Sequence, residues 1–174
     1  MVFSRKTATD RVGAPPQSVR SVPQLAFPAM PPTLPAMTTY PRSAYDNTSG
    51  MLYFARMLDK IRLHAAGKLH PDFIDNLGES FDGRCCKFLR IAYPDLVRRV
   101  SEGGSNEEIL AWCYANGRQL DENDVWIWNE FLRKVGWNDP VSERLAERKA
   151  QSGLADRADI QTMFDYFEFD EGRR

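Results

Sequence analysis

Tyr53, Arg56, Lys60 and His64, spaced about one helical turn apart, are the residues of this 174-residue sequence best suited to chemistry. On a helix advancing about 100° per residue they fall within about 80° of one another, opposite the apolar stripe Phe54, Leu58, Ile61 and Ala65. Two cations one turn apart repel unless something negative stands near. A stripe of Arg, Lys and His with a Tyr hydroxyl therefore suits a phosphate or carboxylate held by charge-assisted hydrogen bonds. In that arrangement Arg56 and Lys60 hold the anion. His64 is the acid/base, because an imidazole changes charge close to neutral pH. Asp59 and Arg62 position them, and Asp59 can pair with Arg56 or Arg62 three residues away. Asp82 and Arg84 would supply the far wall of such a pocket. The same spacing also describes a solvated helix face with ordinary ion pairs.

Other candidates carry less chemistry. Cys85 and Cys86 stand among Asp82, Arg84 and Lys87, where basic neighbours and a helix start can lower a thiol pKa and make it nucleophilic. Equally, buried cysteines act as small hydrophobes. His64, His70 and the three cysteines match no zinc spacing, so no metal and no cofactor is expected. Nucleophile-elbow, phosphate-loop and dinucleotide-binding glycine patterns are missing as well. Trp126 falls opposite the apolar face of its helix and is a candidate interface anchor, unless a neighbouring element covers it.

The elements that must position these residues read as helical throughout. Asn47, Thr48 and Ser49 offer caps for a helix from Gly50 to Ala66, closed by Gly67. Pro71 opens a short helix ending before Gly78, and Phe81–Arg90 forms another. Pro94 starts one that stops at Gly103-Gly104. Ser105 and Glu108 form a capping box for the next. Asp121 caps a helix to Val135, Asp139-Pro140 begins one ending at Gly153, and the last covers Ala158–Phe169. The core is expected from Val125, Trp128, Phe131, Leu132 and Val135, from Ile160, Met163, Phe164 and Phe167, and from Ile109, Trp112, Cys113, Phe81, Cys85, Phe88 and Leu89. Without period-2 alternation or a hairpin signal, the expected class is all-α, with seven or eight short helices.

Composition divides the chain at residue 39. Residues 1–39 hold seven of the eleven prolines, two of the twenty aromatics and a net charge of +3, which marks them as a disordered, Pro-rich extension to a helical domain over 40–174. That extension reads as a ligand for a partner, as a targeting segment, or as an over-long start, with Met30 and Met37 both preceding the domain. The domain itself is acidic, at −4, which argues against nucleic acid. No apolar run is long enough for a membrane span. An odd, small cysteine count argues against a disulfide-stapled secreted scaffold.

The chain also resembles a family of small uncharacterised bacterial proteins known only as a domain of unknown function. The resemblance runs from Pro41 to Arg174. It is carried by Pro41-Arg42-Ser43, by Arg56-Met57-Leu58-Asp59-Lys60-Ile61-Arg62 with Ala66-Gly67, and by Gly104-Ser105-Asn106-Glu107-Glu108-Ile109-Leu110-Ala111-Trp112. It implies a cytosolic bacterial protein, with no reaction or cofactor attached. The expected function is a cytosolic helical binding or regulatory module with a protein partner or self-association. The alternative is a small enzyme or sensor binding an anionic small molecule on the first helix.

Overall fold

The computed structural model describes residues 38–174, so the reading of the Pro-rich extension lies almost wholly outside the described residues. The described chain is all-α. Its α-helices are α1 (Phe54–Ala65), α2 (Ser80–Leu89), α3 (Tyr93–Ser101), α4 (Asn106–Asn116), α5 (Glu122–Lys134), α6 (Ser142–Gln151) and α7 (Met163–Asp170). A 3-10 helix, Pro71–Asn76, links α1 to α2. Among the described residues no helix is long and apolar enough to cross a membrane.

Helix starts follow the side-chain chemistry closely. Ser105 with Glu108, Asp121 with Asp124 and Thr162 with Asp165 each close a capping box, satisfying backbone N–H groups that the first turn leaves free. The third of these corrects the expected last helix. Thr162 is extended and caps a helix beginning at Met163, five residues past the expected Ala158 start. Ile160 is buried but precedes that helix. The Lys149 ammonium ties down the approach by donating to the carbonyls of Arg157, at 2.6 Å, and Ile160, at 3.2 Å.

The expected helix from Gly50 is also corrected. Ser49 and Gly50 both have positive φ, 47° and 83°, and form the tip of a two-residue hairpin. Its strands, β1 (Asn47–Thr48) and β2 (Met51–Leu52), pair antiparallel with Thr48 opposite Met51. Two-residue strands are too short to show a period in sequence. The hairpin persists because α5 binds its backbone. Asn129 accepts from the Leu52 N–H at 3.0 Å and donates to the Gly50 carbonyl at 2.8 Å, while the Trp128 indole N–H donates to the Leu52 carbonyl at 3.1 Å.

These bonds fix the rotation of α5. Trp128 and Leu132 face the core, and Phe131, expected there, lies at the edge and is 42% exposed. Ala65 is exposed as well, and Trp112, Phe88, Phe167 and Val125 are half-buried against the core. Around them Phe54, Leu58, Ile61, Leu89, Leu96, Ile109, Cys113 and Phe164 make one continuous buried cluster. Each such Leu, Ile or Phe contributes about 1.5–3 kcal/mol by leaving water.

The Thr162 cap carries the start of α7, which closes the core over α1. Thr162→Ala is expected to lower unfolding free energy by about 1 kcal/mol. Urea denaturation checks this, and an unchanged midpoint would show that the cap contributes nothing.

Candidate functional site

Arg56 and Lys60 do not face solvent. They are 2% and 3% exposed, so α1 is buried on its cationic side as well as its apolar one. Burying an ammonium or guanidinium demands a partner charge and hydrogen bonds to match. Two distant carboxylates provide them.

The Arg56 guanidinium forms a two-pronged pair with Glu171, just beyond α7. Its Nη1 donates to Oε2 at 2.9 Å, and Nη2 is bonded to Oε1. Nη1 also donates to the Arg42 carbonyl at 2.7 Å. The aromatic rings of Phe73 and Phe167 stand against the guanidinium, with centroids 5.4 and 5.2 Å from its carbon. Arg173 extends the clasp. It donates to Glu171 at 2.6 Å, to Glu168 at 2.9 Å and to the Pro41 carbonyl at 3.1 Å. One network therefore joins α1, the segment entering it and the C-terminal residues.

Lys60 pairs with the buried Asp82 of α2 at 2.6 Å. It also donates to the Tyr53 hydroxyl at 3.3 Å, and that hydroxyl donates to Asp82 at 2.9 Å. The Gly78 N–H gives Asp82 a further bond at 3.3 Å. Tyr53 reaches this position from a left-handed backbone, φ 71°, where the hairpin turns into α1. Burial lowers the Lys60 pKa, and Asp82 opposes that shift without cancelling it. Burial raises the Tyr53 pKa, and the Asp82 charge raises it further. Tyr53 therefore stays a hydrogen-bond donor.

These groups reach the floor of a cleft of about 240 Å³. Its walls come from α1, the 3-10 helix, the start of α2, α6 and α7. Phe73, Phe81, Met163 and Phe167 supply apolar surface, and Tyr53, Arg56 and Lys60 supply the polar floor. Arg144 and Arg148, one turn apart on α6, stand at its exposed edge, and neither forms an ion pair among the described residues.

Of the residues singled out in the sequence, the structure brings together Tyr53, Arg56, Lys60 and Asp82. The others stand apart. Asp59 accepts from the Arg42 N–H at 2.9 Å rather than from a cation on its own helix. Arg62 donates to Asn106 at 2.7 Å. His64 is exposed in the last turn of α1 and does not line the cleft. Arg84 is exposed on α2 away from the cleft, over the Phe131 ring. Trp126 is 63% exposed. Sequence reasoning missed Glu171, Phe73, Phe167, Arg144 and Arg148. The spacing of Arg144 and Arg148 was a visible signal, lying in a segment otherwise legible only as surface.

The cysteines follow the second of their two readings, as small buried hydrophobes. All three are free and buried. Burial, with Asp82 second, pushes the Cys86 thiol from its ordinary value of 9.0 up to about 12. Burial likewise raises Cys113 to about 12 and Cys85 well above its ordinary range. These thiols are unreactive core groups, not activated nucleophiles. Among the described residues no three His, Cys, Asp or Glu side chains cluster as a metal site would need.

A family model for a domain of unknown function, DUF5069, matches residues 38–173, nearly the whole described chain. The protein belongs to that family. A comparison with curated proteins finds no match.

Two outcomes follow from the buried charges and thiols. Asp82→Ala strands the Lys60 ammonium in the core and is expected to cost about 3–5 kcal/mol, whereas Asp82→Leu combined with Lys60→Met costs less than that single change. Denaturant titration decides, and a double variant weaker than Asp82→Ala would contradict the pairing. A thiol whose folded pKa is raised adds stability that is complete below its unfolded value and is lost as pH climbs past it toward the folded value. The protein is therefore expected to lose stability between the Cys86 values of 9.0 and about 12. A Cys86→Ala variant should lose less over the same range, and an equal loss would contradict the assignment.

Proposed function

We propose that this domain is a cytoplasmic bacterial binding module whose cleft takes a small organic anion with a ring or other compact apolar body. The observation that supports this best is the pair Arg144 and Arg148, two guanidinium groups that form no ion pair among the described residues, one turn apart at the edge of a cleft that Asp72, Glu79 and Asp170 also line.

Charge bookkeeping decides which end of the ligand goes where. On the floor, Arg56 and Lys60 are already neutralised by Glu171 and Asp82. A second anion there would approach two buried carboxylates. The carboxylate or phosphate of the ligand therefore sits against Arg144 and Arg148, whose forked donors match either group. The apolar body lies along Phe73, Phe81, Met163 and Phe167. The inner end meets Lys60 and the Tyr53 hydroxyl, which favour a carbonyl or hydroxyl oxygen. This departs from an anion held directly by Arg56 and Lys60, and it gives His64 no part.

The cytoplasmic assignment is supported by three free, buried thiols, and the bacterial one by the resemblance described above. Trp126, at 63% exposure, favours a second role in contact with another protein.

Thermal unfolding of the full chain with phenyl phosphate, benzoate and benzyl alcohol tests the cleft. A ligand selective for the native state at about a hundredfold over its Kd adds about 2.7 kcal/mol, so a saturable rise in midpoint is expected for the two anions. The neutral alcohol should give little. Arg144→Ala with Arg148→Ala should keep the ligand-free midpoint and abolish the rise. An equal response to the neutral compound, or a rise that survives in the double variant, overturns the reading.

A further inference from the structure

Lys60 is the one buried lysine among the described residues, and it lines the floor of the cleft. A lysine that serves only packing keeps its ammonium in water. Here the ammonium is enclosed with an acid and a phenol. Asp82 Oδ2 stands 2.6 Å from Nζ. The Tyr53 hydroxyl accepts from Nζ at 3.3 Å and donates to Asp82 Oδ1 at 2.9 Å. Tyr53 and Lys60 both line the cleft, and Asp82 stands behind them, fully buried.

These three groups are the parts that carbonyl condensation needs. An amine must lose a proton before it attacks, and a buried lysine beside a carboxylate has a base at hand. Burial also favours the neutral amine. The carbonyl oxygen must gain a proton as its π electrons move onto it. Tyr53, kept protonated by burial and by the Asp82 charge, is placed to donate one. Arg56, the other buried cation of the floor, cannot take the nucleophile's part, because a guanidinium does not give up its proton.

The proton balance closes within the triad. Asp82 takes one proton from the Lys60 ammonium, and the freed lone pair bonds to the carbonyl carbon. The C–O π bond breaks toward oxygen, which is protonated through the Tyr53 hydroxyl. A second nitrogen proton then follows the same route. The nitrogen lone pair closes a C–N double bond as the C–O bond breaks and the oxygen departs as water. The iminium product keeps the positive charge of Lys60. Asp82 therefore faces one cation before and after, and no uncompensated charge is left in the core.

We propose that the cleft captures its ligand covalently and reversibly, Lys60 forming an imine with an aldehyde or ketone whose carboxylate or phosphate rests against Arg144 and Arg148. Tyr53 is the proton donor and Asp82 the proton acceptor. The inference rests on the cleft reading above and narrows its ligand to an oxo acid or a phosphorylated carbonyl compound.

Reductive trapping of the full chain tests it. The probes are the meta and para isomers of formylbenzoate, with cyanoborohydride to reduce the iminium to a stable amine and peptide mass mapping to locate it. At least one isomer is expected to label Lys60 faster than the exposed Lys68, Lys87 and Lys134, and benzoate to suppress the label at Lys60 alone. Tyr53→Phe should slow labelling of Lys60 by about a hundredfold and keep the rise in unfolding midpoint that benzoate gives. If that variant fails to fold, Arg144→Ala with Arg148→Ala, at exposed positions, should slow Lys60 and leave the exposed lysines unchanged. Labelling confined to exposed lysines, with benzoate still raising the midpoint, overturns this inference and leaves the cleft reading standing. Labelling of Lys60 as readily by neutral benzaldehyde supports the imine and overturns the anionic anchor. A Tyr53→Phe variant that labels at the wild-type rate overturns the proton relay.

Discussion

Two cations buried side by side on one helix oblige the rest of the fold to bring carboxylates to them. Arg56 and Lys60 lie one turn apart on α1, both almost completely enclosed. Unpaired, each would cost several kcal/mol of lost hydration. The chain meets the requirement from two directions. α2 delivers Asp82 to Lys60, and the residues after α7 deliver Glu171 to Arg56. Both deliveries dictate where those helices lie. The position of α7 over α1, the left-handed entry at Tyr53 and the docking of Pro41 and Arg42 against the guanidinium all belong to the same arrangement.

The cleft is a by-product of this arrangement and inherits its polarity. Because α2 and α7 are held by ion pairs at α1, the space between them has charged groups below and aromatic rings at its sides. The floor groups are saturated by partners within the chain, which makes them rigid positioning groups rather than free charges. Among the described residues that line the cleft, cations without an ion pair lie on α6, where Arg144 and Arg148 meet the opening that Asp72, Glu79 and Asp170 also line. A ligand would therefore be oriented by the contrast between a neutralised floor and an edge that carries the Arg144 and Arg148 guanidiniums.

Much of the fold was legible in the sequence because helix ends are local. Ser105 with Glu108, and Asp121, announce their helices within a few residues, and Gly67 marks the end of the first. The all-α class follows from such signals. What failed was non-local. The hairpin at Asn47–Leu52 depends on Asn129 and Trp128 far along the chain. Phe131 turned outward because those bonds set the rotation of α5. The polar stripe of α1 stands out in type and spacing, but amphipathic reasoning places it opposite the core, whereas Arg56 and Lys60 are buried. Its acidic partner for Arg56 lies 115 residues away, and no pattern around α1 announces Glu171. The cysteines fit the small-hydrophobe reading, since basic sequence neighbours count for less than burial in the assembled core.

The central claim is that the Arg56 guanidinium is clasped by Glu171 and the Arg42 carbonyl at the base of the cleft. Proton exchange of the arginine side chains, followed by nuclear magnetic resonance, tests it most directly. The account predicts that the Arg56 Nε and Nη protons exchange with water far more slowly than those of Arg144 and Arg148, which are exposed. Exchange of the Arg56 protons as fast as those two would contradict it.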